Sequence, residues 1–242
     1  MAARVTWFGH STVAIELAGS RIATDPVLRR GVLHLRREAA VPSETLLPLD
    51  AVLLSHLHHD HLDLPTLTAL GRETRIVVPR GGGRMLRRRG FRSVEEVVPG
   101  GELDVGAVQI TVTEAEHDAR RYKVGWNVAA VGYVLDADLT IYFAGDTDFF
   151  AGMEELAGAD LVLLPVSGWG RSVGRGHLDP ARAAQALRVL RPRAVVPIHW
   201  GTYRMLAARG RVQDIHTFAA AAAEAAPGVD VHVLPIGGSL EL

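Results

Sequence analysis

Three short apolar runs in this chain stop at the same kind of residue. AVLLS runs into HLHHDH at His56–His61, LTIYFAG into Asp146, and AVVPI into His199. A fourth segment, QITVTEAEH, ends at His117. Runs of this length, rich in Val, Ile and Leu and bounded by turn residues, read as buried strands. Strand ends carrying His and Asp can converge at one sheet edge, and loops on a rigid scaffold are where function concentrates. The four ends therefore predict one site.

The densest of them, LLSHLHHDHLDLP over 53–65, places four histidines and two aspartates between His56 and Asp63. Buried without partners, such a run would be costly. A solvated loop would tolerate it without explaining its spacing. Metal binding explains it, because neutral imidazole and carboxylate are usual ligands of divalent transition metals. His56 and His58 are two apart and share a face of an extended segment. Asp60 and His61 follow past a bend and can serve a second position. His117 is a candidate to complete the first set and His199 the second, with Asp146 able to bridge them. Two metals about 3.5–4 Å apart would share one water and act on one substrate.

Around these ends the pattern alternates. RVTWFGHSTVAIELAGSRIATDPV reads as two strands joined at Ala18-Gly19-Ser20. Helices are predicted at Leu64–Leu70, closed by Gly71, in GRMLRRRG, in DPARAAQALRVLR and around Phe218–Ala226, with further strands in RIVVP, DLVLLPV and VDVHVLP. Strands followed by strand–helix units in both halves predict an α/β fold of two packed sheets with helices outside. No linker or charge shift divides residues 1–242, so one domain is expected. The stretch 29–48 reads either as a lid or as a contact between copies in a homo-oligomer.

Composition narrows the function. A formal charge of −1 gives no reason to expect nucleic acid. The absence of cysteine removes disulfides, thiolate metal sites and cysteine nucleophiles. No apolar run approaches the roughly 20 residues of a membrane span, and the first residues lack a signal peptide's apolar core. A cytoplasmic protein is expected.

HLHHDH, the later His117, FAGDTD and PIHWGT together resemble the metallo-β-lactamase superfamily, with its His-x-His-x-Asp-His signature. WFGHSTVAIEL, ATDPVL, EAEHDARR and GHLDPARAAQAL are similar to the branch holding ascorbate-phosphate lactonases and N-acyl-phosphatidylethanolamine phospholipase D enzymes. The resemblance spans nearly the whole chain and implies a four-layer αββα sandwich with a two-metal site at its edge. It implies that His56, His58 and His117 bind one ion, Asp60, His61 and His199 the other, and that Asp146 bridges. It also implies that His177 lies near the substrate and assists catalysis. The chain is shorter than the phospholipase pattern and shows no membrane-binding extension.

Other residues invite plainer readings. His59 lies at the wrong phase and is expected to pack or meet solvent. His10 and Asp25, at strand ends, are expected to orient a ligating imidazole. His34, His216 and His232 read as ordinary surface or strand histidines. Gly81–Gly83 reads as a turn before a helix, since no Lys-Ser/Thr follows, and Arg87–Arg89 as a solvated helix end. Arg120, Arg121, Arg171, Arg175 and Arg204 flank the motifs. Arg171 and Arg175 are the candidates to grip an anionic small-molecule substrate, although surface solubility would also account for such arginines.

The expected chemistry is hydrolysis of an ester, lactone or phosphodiester by a water that two divalent ions activate. Zinc fits the ligand types best, with manganese or iron compatible. Asp60 would orient the nucleophile, and His177, beside the helix start Asp179-Pro180, would donate a hydrogen bond or proton. A compact phosphodiesterase or nuclease-like hydrolase, and a catalytically silent metal-binding protein, are the alternatives.

Overall fold

The structure, a computed structural model, describes residues 3–37, 41–119, 128–166, 176–205 and 215–242. Two seven-stranded mixed sheets face each other. The first runs, edge to edge, β17 (Ser239–Glu241), β1 (Arg4–Gly9), β2 (Thr12–Leu17), β3 (Ser20–Thr24), β6 (Ala51–Leu53), β7 (Ile76–Pro79) and β8 (Val94–Val97). The second runs β16 (Asp230–Val231), β14 (Ala194–Ile198), β13 (Leu161–Pro165), β12 (Thr140–Phe143), β11 (Val131–Asp136), β10 (Val108–Glu114) and β9 (Glu102–Val105). A small sheet of β15 (Tyr203–Met205), β5 (Leu35–Arg37) and β4 (Gly31–Val32) sits apart. The helices are α1 (Leu64–Leu70), α2 (Gly83–Arg88), α3 (Pro180–Leu190) and α4 (Ile215–Ala225).

Side-chain alternation builds the layers. In β13, Leu161 and Leu163 point into the core between the sheets, beside Val5, Ile15, Ile110 and Phe143. Val162 and Leu164 point the other way, onto Ala183, Leu187 and Phe218 of α3 and α4. In the first sheet Val52, Ile76 and Val78 pack outward on Leu67 of α1 and Leu86 of α2. Strands covered on both faces read as unbroken apolar runs. The αββα sandwich expected from the sequence is what forms.

Several elements differ from expectation. Residues 4–24 form three strands, because Gly9 (φ 100°) and His10 (φ 56°) turn the chain between β1 and β2. The lower turn, at Ala18-Gly19, is where it was expected. In VDVHVLP only Asp230–Val231 joins the ladder. The edge strand β8 escaped notice because its outer positions are partly solvated and show no alternation. Part of the 29–48 stretch folds as β4 and β5 against β15. Its Arg37 turns inward and donates to the carbonyls of Phe8, Val27 and Leu28, with the guanidinium 5.3 Å from the Tyr203 ring centre.

Candidate metal centre

The four strand ends do converge. Within 54–63, Leu57 and Leu62 are buried and anchor the loop from below, so their neighbours project to the other side. The amides of His61 and Leu62 both donate to the His58 carbonyl, which bends the chain after His58. Asp63 then caps α1, accepting from the amide (3.1 Å) and hydroxyl (2.8 Å) of Thr66. The helix spans Leu64–Leu70 and closes at Gly71 (φ 109°), as its spacing predicts.

Two groups of donor atoms result. His56, His58 and His117 gather their ring nitrogens in one, and Asp60, His61 and His199 in the other, which His10 joins. Asp146 lies between them. Its Oδ2 is 3.1 Å from His61 Nε2, 3.2 Å from His199 Nε2 and 4.0 Å from His56 Nε2. His177 Nε2 stands 3.4 Å from the same oxygen, making a further group with His117 and Asp146. His117 Nε2 and His58 Nδ1 are 3.2 Å apart. Tetrahedral ligands at zinc distances stand roughly 3.3–3.4 Å from one another, so these spacings suit a shared cation.

Buried polar atoms without partners point the same way. His56 Nε2, His61 Nε2 and Asp146 Oδ1 are enclosed and have no hydrogen bond among the described residues. Buried polar groups are nearly always satisfied, and leaving one unmade costs about 1–3 kcal/mol. Divalent cations fit this donor set.

The opposite ring nitrogens are held by the protein. His61 Nδ1 meets Asp25 Oδ2 at 2.7 Å, His117 Nδ1 donates to the Gly176 carbonyl at 2.8 Å, and His56 Nδ1 lies 2.9 Å from Ser55 Oγ. His10 Nε2 reaches Asp60 Oδ2 at 3.2 Å. The His10 carbonyl accepts from the His199 amide and from Trp7 Nε1, tying β1 to the end of β14. Two glycines make close approach possible: a Cβ on Gly145 would stand 2.7 Å from Ser55 Cβ, and one on Gly176 2.9 Å from His117 Nδ1.

Electrostatics divide the imidazoles. Burial drives His56 down and takes His10 to about 3 and His117 to about 4, the last against the pull of Asp146. His61 is buried too, but Asp146, Asp25 and Asp60 outweigh that cost and hold it well above the usual imidazole range. Burial would raise Asp60 and Asp146. His61 and His10 for Asp60, and His199 and His61 for Asp146, pull both well below the carboxylate range instead.

The sequence reading expected His10 and Asp25 to orient a ligating imidazole; Asp25 stands against His61 Nδ1, and His10 is itself grouped with Asp60, His61 and His199. It missed Ser55 and the Gly176 carbonyl. Ser55 carried a signal, as a hydroxyl residue closing a buried strand directly before His56; a backbone carbonyl carries none. His59 is half-buried in the turn, outside the donor groups. His34 and His216 are exposed. Gly81–Gly83 form the expected turn, their amides donating to Glu96 Oε1 at 2.6 and 3.1 Å. Arg87 of the helix end pairs with Glu96. Arg204 is exposed on β15, and Arg120, Arg121, Arg171 and Arg175 lie outside the described residues. Among the described residues no helix is long and apolar enough to cross a membrane.

Comparison with known proteins gives the family. Residues 20–200 match the Beta-lactamase superfamily domain. A metal-dependent hydrolase of Koribacter versatilis is 30% identical over 224 residues, covering 89% of this chain and 91% of its own. One from Opitutus terrae is 31% identical over 249 residues, covering 99% and 100%. A metallo hydrolase from the hyperthermophilic archaeon Ignicoccus hospitalis superposes with a TM-score of 0.76 at 26% identity, covering 100% of this chain and 99% of that one. With its converging strand ends and its sandwich, the chain belongs to the metallo-β-lactamase superfamily and to its family of metal-dependent hydrolases.

Proposed function

We propose that this protein hydrolyses a small anionic ester, lactone or phosphodiester with two divalent ions, zinc by ligand type, and that residues 1–242 act as one domain. His56, His58 and His117 would hold one ion, Asp60, His61 and His199 the other, with Asp146 reaching both. The observation that carries this reading is the position of Asp146 Oδ2 against His61, His199 and His56, where the Nε2 atoms of His56 and His61 have no hydrogen bond among the described residues. Ions bound there supply Lewis acidity and ionise water near neutral pH.

The chain's own groups do the rest. His10 Nε2 holds Asp60 Oδ2, which keeps that carboxylate turned toward the centre and able to orient a nucleophile. His177 stands directly before α3, whose N-cap Asp179 accepts from the Arg182 amide. Its side chain keeps 18% of its surface exposed against 2% for Asp146, so among these groups it has access to the open side. From Nε2 it would donate to the developing oxyanion or protonate the leaving-group oxygen. Arg175 directly precedes Gly176, whose carbonyl holds His117, which supports Arg175 as a grip on an anionic group, with Arg171 four residues earlier in the chain as the second candidate.

Elemental analysis of protein purified without chelator should approach two divalent ions per chain. A screen of chromogenic lactones, esters and phosphodiesters should find turnover, and replacing Arg171 or Arg175 should raise KM mainly for charged substrates. Ordered histidines with reproducibly no metal would overturn the reading. Metal without turnover would favour a silent binding protein, and turnover of phosphodiesters alone the compact phosphodiesterase.

A further inference from the structure

Ser55 belongs to neither donor group, yet it touches one directly and reaches the other through Asp25. Its amide donates to Asp25 Oδ1 at 2.7 Å and its hydroxyl to Asp25 Oδ2 at 2.5 Å. The same Oδ2 takes His61 Nδ1 at 2.7 Å. Ser55 Oγ also lies 2.9 Å from His56 Nδ1. Its backbone carbonyl accepts from the Val131 amide of the second sheet, and Gly145 packs against its Cβ. The residue therefore sits where the two sheets meet, with little room to turn.

Proton counting fixes the directions. A carboxylate only accepts, so Ser55 Oγ and His61 Nδ1 both donate to Asp25. A serine hydroxyl has one hydrogen, which is then committed. Toward His56 the oxygen can only accept, so His56 must carry its proton on Nδ1. His56 then presents Nε2, buried without a hydrogen bond among the described residues, and His61 presents Nε2 toward Asp146 Oδ2 at 3.1 Å, so the two rings serve different donor groups.

We infer that Ser55 is a positioning residue: with Asp25 it forms one hydrogen-bond relay, His56–Ser55–Asp25–His61, that sets the tautomer of His56 and the orientation of His61, one ligating imidazole in each half-site. Asp25 is the common acceptor, and Ser55 carries its influence to the first set. The relay deepens the two-ion reading and rests on it for its consequence, though not for its geometry. Groups that orient a ligating imidazole typically set metal affinity by 10–100-fold.

The relay is tested by histidine side-chain 15N correlation spectra and by zinc titration of metal-free protein, for wild type, Ser55→Ala and Asp25→Asn. In metal-free wild type His56 should carry its proton on Nδ1, and in Ser55→Ala that preference should be lost. Ser55→Ala should bind one zinc as before and the other about 10–100-fold more weakly. Asp25→Asn should weaken both. A wild-type His56 protonated at Nε2, or Ser55→Ala with both affinities unchanged, would overturn the relay. Wild type binding fewer than two zinc ions would sink the two-ion reading instead, and the His56 tautomer would still decide for or against the relay.

Discussion

Two loops leave neighbouring parallel strands of the first sheet and enter helices: 54–63 between β6 and α1, and 80–82 between β7 and α2. Each carries a string that suggests ligand binding, histidines in one and, in the other, two glycines continued by Gly83 at the start of α2. In the glycine loop the amides of Gly81 and Gly83 end on Glu96 Oε1 while Arg87 pairs with Oε2, so its polar groups are occupied from within the chain. In the histidine loop the Nε2 atoms of His56 and His61 remain buried without a hydrogen bond among the described residues. A ligand-like string marks a site where the fold keeps its donors unspent, and a turn where the fold consumes them.

The sharpest way to break this contrast is Asp146→Ala. It should lose at least one ion and more than about 10⁴-fold in activity, beyond the usual range for a general acid or base. His177→Ala should keep both ions and the fold while kcat falls by about 10²–10⁴. Because His177 Nε2 also lies at ligand spacing from Asp146, loss of metal in this variant would make it a ligand and remove it as proton donor.

The pH dependence of the metal-free protein separates the donor cluster from the glycine loop further. His117, held neutral down to about 4, binds no proton when folded over a range where the unfolded chain, with its ordinary imidazole near 6.5, does. Stability from this group is present above pH 6.5 and lost as pH falls toward 4, by roughly 3 kcal/mol. Denaturant unfolding at pH 7 and pH 4.5 should show a larger loss for wild type than for His117→Gln, and equal losses would contradict the assignment. His61 runs oppositely. Its stabilisation is complete below 6.5 and fades as pH rises through its elevated folded value.

In the glycine loop, burial would raise Glu96, but the amides of Gly81 and Gly83 together with Arg87 outweigh that and lower it. Its stabilisation is present above its ordinary 4.5 and lost as pH falls through the lowered folded value. Glu96→Gln should therefore cost only about 1 kcal/mol in unfolding experiments and leave metal content and turnover unchanged. The smallest effect is expected for His59→Ala, a change within about 0.5 kcal/mol with activity and metal retained. A loss there comparable to that of Asp146→Ala would mean that the phase of the histidine cluster was misread.

What the sequence determined by itself is local. The α1 bounds Leu64–Leu70 follow from Asp63 as cap, the apolar spacing and Gly71, all within nine residues. The burial of β13 and β14 follows from unbroken apolar runs, and the donor types of the centre are explicit in HLHHDH. The turn at Gly9-His10 was less legible because positive φ is uncommon outside glycine, and the Thr202 hydroxyl that meets the His10 amide comes from 192 residues away. Only the tertiary structure decided that Asp146 stands between His61 and His199, that the Gly176 carbonyl takes His117 Nδ1, and that Ser55 joins Asp25 to His56. The physical reason is that a hydrogen bond needs atoms within about 3 Å. Between β3, β6 and β12 that distance is set by the packing of two sheets, to which no local pattern of residues is sensitive.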